Sequence, residues 1–239
     1  MSRVALITGA SRGLGAELAG FLAKQGYGLV LTARGAGPLE ATAGPLKRYG
    51  NRVVAISGDV SDAEHRRRLV EATESFGRLD LLINNASDLG LSPLPPLADY
   101  PLDAIEDVFN VNVLAPLGLV QAALPLLRQT GGTVINISSD AAVGGYPGWG
   151  AYGASKAALD LLSLTLANEL RDDGVAVVSV DPGDMRTQMH QAAFPEEDIS
   201  DRPLPEATLP FRAWLLGQPR ASVTGNRYQA QSDRWEAAA

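Results

Sequence analysis

The stretch Val4-Ala5-Leu6-Ile7-Thr8-Gly9-Ala10-Ser11-Arg12-Gly13-Leu14-Gly15 decides how this chain is read. Residues 4–8 are a short apolar run that stops at Gly9, the pattern of a buried strand. From residue 13 to 25 the apolar residues Leu14, Leu18, Phe21 and Leu22 recur at helical spacing, and Gly26 ends the helix. Between strand and helix, Gly9 permits a tight turn and Gly13 lets backbone approach a diphosphate. Gly15 lets the helix pack close to the sheet. The free N–H groups and dipole at the helix N-terminus favour an anion there. No Lys-Ser or Lys-Thr follows the glycines, so this is not a Walker loop.

The same alternation continues outward. Strands are predicted at 27–32, 52–57, 79–83, 133–138, 175–180 and 226–229, and helices at 13–25, 38–49, 102–128, 151–170 and 206–216. A further helix follows Ser61, which with Glu64 makes a capping-box pattern. The charged stretch 64–68 reads as a solvated face of that helix. Asn112 and Pro116 interrupt the helix at 102–128, and Pro125 is expected to kink it. Residues 144–150 form a glycine-rich loop, and 184–208, polar and proline-bearing, read as a mobile substrate loop. Continuously apolar strands alternating with helices predict an α/β doubly wound parallel sheet of about seven strands, with helices on both faces. No linker divides residues 1–239, so a single domain is expected.

Composition narrows the function. The net charge is −7 with no basic block, which argues against a nucleic-acid or anionic-membrane partner. With no cysteine, disulfides, thiolate metal sites and cysteine nucleophiles are excluded. The two histidines, His65 and His190, are too few for a histidine cage, and no metal is expected. No run of about 18 apolar residues is apparent, and the first residues read as too short for a secretion signal, so a cytoplasmic location is expected.

Three features carry chemistry. An acid about 20 residues past the glycines, which accepts from a ribose 2′-hydroxyl, is absent between Glu17 and Glu40. Arg34 stands there instead, and Arg12 lies in the glycine loop. Two guanidinium groups suit a 2′-phosphate, so NADP(H) is predicted over NAD(H). Tyr152 and Lys156, four apart, share one helix face. An ammonium beside a phenol favours the phenolate and is expected to lower its pKa toward neutrality. The competing reading makes Lys156 a surface ion-pair partner of Asp160. After the fifth strand either Ser138 or Ser139 is placed to donate to a substrate oxygen, since the two point to opposite sides. Asn112 is placed to hold a backbone group or a water.

Together TGASRGLG at 8–15, Asp59-Val60, NNA at 84–86, Asn112, Ser139, YGASK at 152–156 and DPGDMRT at 181–187 resemble the short-chain dehydrogenase/reductase family over essentially the whole chain. The resemblance implies Tyr152 as general acid/base and Lys156 as its modulator and nicotinamide-ribose ligand. It implies Ser139, rather than Ser138, as the group polarising the substrate oxygen, and Asn112 as holder of a proton-relay water. Cofactor contacts are implied at Gly9, Ser11, Arg12, Gly13, Leu14, Gly15, Arg34, Asp59, Val60, Asn85, Ala86, Tyr152, Lys156, Pro182, Gly183 and Thr187. One departure is Ser87, where the family usually has glycine; its Cβ is expected to crowd the cofactor or be tolerated. Asp140 is an unusual charge beside Ser139.

The expected activity is reversible hydride transfer between NADP(H) and a small-molecule carbonyl or secondary alcohol. The alternatives are a catalytically silent NADP-binding regulator, a lyase or isomerase on the same scaffold and, weakest, a serine hydrolase. Substrate walls are expected from 87–96, 144–150 with Tyr146 and Trp149, and 185–195. Helix 151–170 has few charges and apolar residues around most of its circumference, which predicts a homo-oligomer, tetramer or dimer.

Overall fold

Leu6 and Ile7 are both fully buried, yet they serve different cores on opposite faces of one sheet. A strand covered on both sides has no wet face, which is why its sequence is apolar without alternation. The computed structural model describes residues 2–236. Its strands are β1 (Val4–Thr8), β2 (Gly28–Ala33), β3 (Val53–Ser57), β4 (Leu81–Asn84), β5 (Thr133–Ile137), β6 (Ala176–Asp181) and β7 (Arg227–Gln229). They form one sheet in the order β3-β2-β1-β4-β5-β6-β7, and every pairing is parallel. The connections run outward from β1 to β3, then return to place β4 on the other side of β1. The crevice between the carboxyl ends of β1 and β4 is therefore the switch point where such sheets bind ligands.

The helices are α1 (Gly13–Lys24), α2 (Ala36–Leu46), α3 (Ala63–Glu74), α4 (Leu102–Phe109), α5 (Ala115–Thr130), α6 (Ala141–Gly144), α7 (Gly150–Glu169), α8 (Gln188–Ala193), α9 (Leu209–Gly217) and α10 (Arg220–Val223). Leu18 and Leu22 of α1, Leu39 of α2 and Phe211 of α9 pack on one face of the sheet. Leu69 of α3, Leu119 and Leu127 of α5 and Ala167 of α7 pack on the other. Each fully buried leucine or phenylalanine among them contributes roughly 1.5–3 kcal/mol.

Several local expectations are corrected. The cap of α3 is Asp62, whose carboxylate accepts from the Glu64 N–H at 3.0 Å. Ser61 instead donates both N–H and hydroxyl to Asp59. His65 is not on a solvated face: it is fully buried and hydrogen-bonded to Thr32 at 2.7 Å. The stretch 102–130 is one continuous helix in which Asn110–Leu114 forms a single π turn. By length and hydropathy alone it is able to cross a membrane, contrary to the sequence reading. Half of its most apolar window is buried inside the protein, however, where α5 packs on α3 and the sheet. Residues 184–208 contain α8 and a 3-10 turn at Pro205–Thr208.

Candidate active site

A cavity of about 850 Å³ opens at the carboxyl edge of the sheet. Its floor is the glycine loop. Gly9 and Gly13 both have positive φ, at 65° and 53°. A Cβ on Gly15 would sit 2.2 Å from the Gly9 carbonyl oxygen, so the start of α1 rides directly on the turn. Thr8 ties this loop to the end of β4, since its Oγ1 accepts from the N–H groups of Asn85 and Ala86, both at 2.9 Å. Asn85 returns the contact, donating Nδ2 to the carbonyls of Thr8 and Gly9. Its side chain is thus a strut under the phosphate loop, and the Thr8 hydroxyl is a part the sequence reading passed over.

At one end of the cavity lie Arg34, exposed and without an ion pair among the described residues, and Asp59 and Val60. Burial pushes the Asp59 carboxyl up, but the Ser61 bonds and the Arg34 charge outweigh it and hold the carboxyl below its ordinary value. Arg12 projects across the mouth to bond Gln188 of α8. Ser11, Leu14, Pro182, Gly183 and Thr187 also line the cavity. The Thr187 hydroxyl caps α8 by accepting from the His190 N–H at 3.2 Å. The loop, where Gly9 and Gly15 leave no room for a Cβ, opens at a helix N-terminus and fits the diphosphate of a dinucleotide.

The other end holds the expected catalytic group. Tyr152 and Lys156 lie in the first turns of α7 and are buried, as is Asn112. Lys156 Nζ donates to the Ile137 carbonyl at 2.8 Å and stands 5.4 Å from the Tyr152 ring centroid. It forms no pair with Asp160, which instead binds Arg227 at 2.9 Å. Both serines line the cavity, but Ser138 is buried while Ser139 is partly exposed, with its Oγ donating to Asp140 Oδ1 at 2.9 Å. Arg227 Nη2 donates to the Ser139 carbonyl at 2.7 Å and holds that loop from β7. Nothing in the sequence links residue 227 to residue 139.

The expected lowering of the phenol pKa is not found. Burial pushes Tyr152 up to about 12, against the opposing pull of the Ser87 and Ser139 hydroxyls. Burial also brings Lys156 down to about 8, only partly offset by Asp160. Both groups are driven toward their neutral forms because water is excluded from each.

Asn112 uses all four of its amide valences. Oδ1 accepts from the Asp88 N–H at 2.7 Å and the Ser87 hydroxyl at 3.0 Å. Nδ2 donates to the Asp88 carbonyl at 2.8 Å and Ser155 Oγ at 2.9 Å. Its side chain therefore locks the loop after β4 to α7. Ser87 turns its hydroxyl to Asn112 Oδ1, to which it donates. Of the expected walls, 87–96 contributes Ser87, Asp88 and Leu89, and 144–150 contributes Trp149 but not Tyr146. Trp149 packs edge-on against Tyr152 at 5.7 Å and near Phe194 at 5.8 Å. Most of α8, with Met185 before it, closes the remaining side.

A buried phenol and lysine with a partly exposed serine, set beside a glycine-loop cleft on a parallel sheet, mark a class of nucleotide-dependent oxidoreductase. The chain belongs to the short-chain dehydrogenase family, which it matches over residues 3–198. It is 37% identical over 244 residues to a rhamnolipid-biosynthesis 3-oxoacyl-[acyl-carrier-protein] reductase from Pseudomonas aeruginosa, covering 94% of this chain and 93% of that one. A short chain dehydrogenase structure from Salmonella enterica serovar Typhi superposes with a TM-score of 0.89 at 32% identity, covering 97% of each chain. A Shigella flexneri 2a structure complexed with NADP gives 0.88 at 32% identity, covering 96% of this chain and 97% of that one.

Proposed function

We propose that the protein is an NADP(H)-dependent carbonyl reductase that interconverts a small carbonyl compound and its secondary alcohol. The observation that carries this reading is the Tyr152 phenol, buried among Lys156, Ser87 and Ser139 where the cavity closes. When bound, NADP(H) supplies the hydride. The chain's residues supply position and proton. Arg12 and Arg34 take the 2′-phosphate, and the turn at 9–15 takes the diphosphate. The structure of a relative complexed with NADP supports that choice. Lys156 holds the ribose. Ser139 leaves Asp140 to donate to the substrate oxygen, and Tyr152 delivers its proton to that oxygen in the reductive direction. A phenol with a pKa near 12 is fully protonated at neutral pH, which suits the reductive direction.

The substrate body lies against Trp149, Leu89, Met185 and Met189, an apolar wall. Residues 184–208 act as the loop that covers it. A second copy of the chain covers α7, where Leu161 and Leu164 are 66% and 45% exposed; this gives a dimer or tetramer. A panel of ketones and aldehydes with NADPH, followed by loss of absorbance, tests the activity. Turnover of at least one carbonyl is expected, and product formation without net cofactor change defeats the reading.

A further inference from the structure

Arg227 lies on β7, the last strand of the sheet, and finds its acceptors on three other elements. Side chains alternate along a strand, so Tyr228 turns to the core shared with Phe211 of α9 while Arg227 turns to the α7 face. There Nε donates to Asp160 Oδ2 of α7 at 2.9 Å. Nη2 donates to the Ser139 main-chain carbonyl at 2.7 Å and to Asp181 Oδ2, at the end of β6, at 3.4 Å. Asp181 is buried, and its other oxygen accepts from the Gly183 N–H at 2.9 Å. The Ser139 carbonyl also accepts from the Ala142 N–H at 3.1 Å. One guanidinium thus joins two turns that line the cavity, the Ser139 turn after β5 and the 181–183 turn after β6. Gln231, just past β7, braces the second turn too, donating to the Pro182 and Asp184 carbonyls, both at 2.9 Å.

We propose that Arg227 is a positioning residue that fixes the Ser139 hydroxyl relative to the 181–183 turn, where the cofactor is expected to bind. It does not line the cavity and acts through the Ser139 carbonyl and the Asp181 carboxylate. A guanidinium suits the task because its five N–H groups stand in a rigid fork and reach acceptors on separate elements at once. A lysine ammonium is a single point on a flexible stem. The charge matters as well, since the buried Asp181 and the partly buried Asp160 both face this cation. A hydroxyl that donates to a developing oxyanion stabilises it most when it is held in place beforehand. The inference rests on the oxidoreductase reading given above.

Arg227→Lys keeps a charge beside the two carboxylates and loses the fork; Arg227→Gln loses both. Each is expected to lower kcat for carbonyl reduction about tenfold with substrate KM within about twofold, because the bonds lost place a donor and do not touch the substrate. Amide exchange on the free protein gives a second readout. The Ala142 and Gly183 amides, whose acceptors are the groups Arg227 holds, should exchange about tenfold faster in both variants while β1 stays protected. A kcat within twofold of wild type in either variant overturns the proposal, as does a loss that falls on KM alone. Exchange that quickens equally in β1 assigns Arg227 to global stability and overturns it too. If the wild-type chain turns over no carbonyl or alcohol, the functional reading fails by itself. Arg227 is then judged from the two amides: faster exchange upholds the brace, and unmoved exchange removes it.

Discussion

Lys156 does not point its ammonium at the Tyr152 hydroxyl: it passes 5.4 Å from the ring centroid and donates to the Ile137 carbonyl at 2.8 Å. A side chain of this length, buried to 2% exposure, must find its acceptor inside the protein, and the end of β5 provides it. The phenol and the amine therefore share a desolvated space, and each is pushed toward neutrality.

That burial makes stability depend on pH. The folded lysine has a pKa of about 8, below its ordinary value near ~10.4. Between those values the unfolded chain binds one more proton than the folded chain, so stability rises with pH by up to about 1.4 kcal/mol per unit. Below pH 8 this gain is absent. Tyr152, raised to about 12, acts oppositely above pH 10, where stability falls. Urea titrations of wild type and Lys156→Met from pH 7 to 10 check this. The variant should lack the rising slope, and equal slopes refute the assignment.

Tyr152→Phe keeps the ring packed against Trp149 and removes only the hydroxyl. Carbonyl reduction should drop by about 10²–10⁴-fold, while NADPH titrated by fluorescence binds within about threefold of wild type. Turnover near wild type contradicts the role given to the phenol.

Arg34 stands exposed on the cavity wall without an ion pair among the described residues, where the proposed cofactor would place its 2′-phosphate. Arg34→Ser should weaken NADPH about 10–100-fold, the loss of a charge-assisted bond. NADH binding should hardly change. Calorimetry with both nucleotides at fixed salt decides it, and parallel losses point to a general structural effect instead.

Gly15→Ala drives a methyl to 2.2 Å from the Gly9 carbonyl oxygen, a backbone atom that has little freedom to yield. Overpacking of this kind costs about 1–3 kcal/mol, or roughly 2–10 °C in Tm for a chain of this size. NADPH affinity should fall with it, because α1 must lift off the turn. A thermal melt with unchanged Tm and Kd shows that the loop has slack.

Leu161→Glu places a charge on the exposed apolar face of α7. If a second copy covers that face, light scattering should report a smaller species than wild type. A wild-type monomer ends the oligomer proposal outright.

The local grammar was legible from the residues alone. Strand, glycine turn and helix at 4–25, the parallel sheet, and the pairing of Tyr152 with Lys156 on one helix face depend on near-neighbour chemistry and periodicity. The observed boundaries of the predicted elements lie within about three residues of those predicted, since burial on both faces leaves an unbroken apolar signal in the central strands. What only the tertiary structure decided is which distant groups meet. Arg227 holds the Ser139 carbonyl from 88 positions away, and Thr8 bonds Asn85 from 77 away. Asn112 joins Ser87 and Asp88 to Ser155. The protonation of Tyr152 and Lys156 belongs to the same category. Their spacing along the chain says they are neighbours, but desolvation depends on everything packed around them, and that surrounding is assembled from every part of the fold.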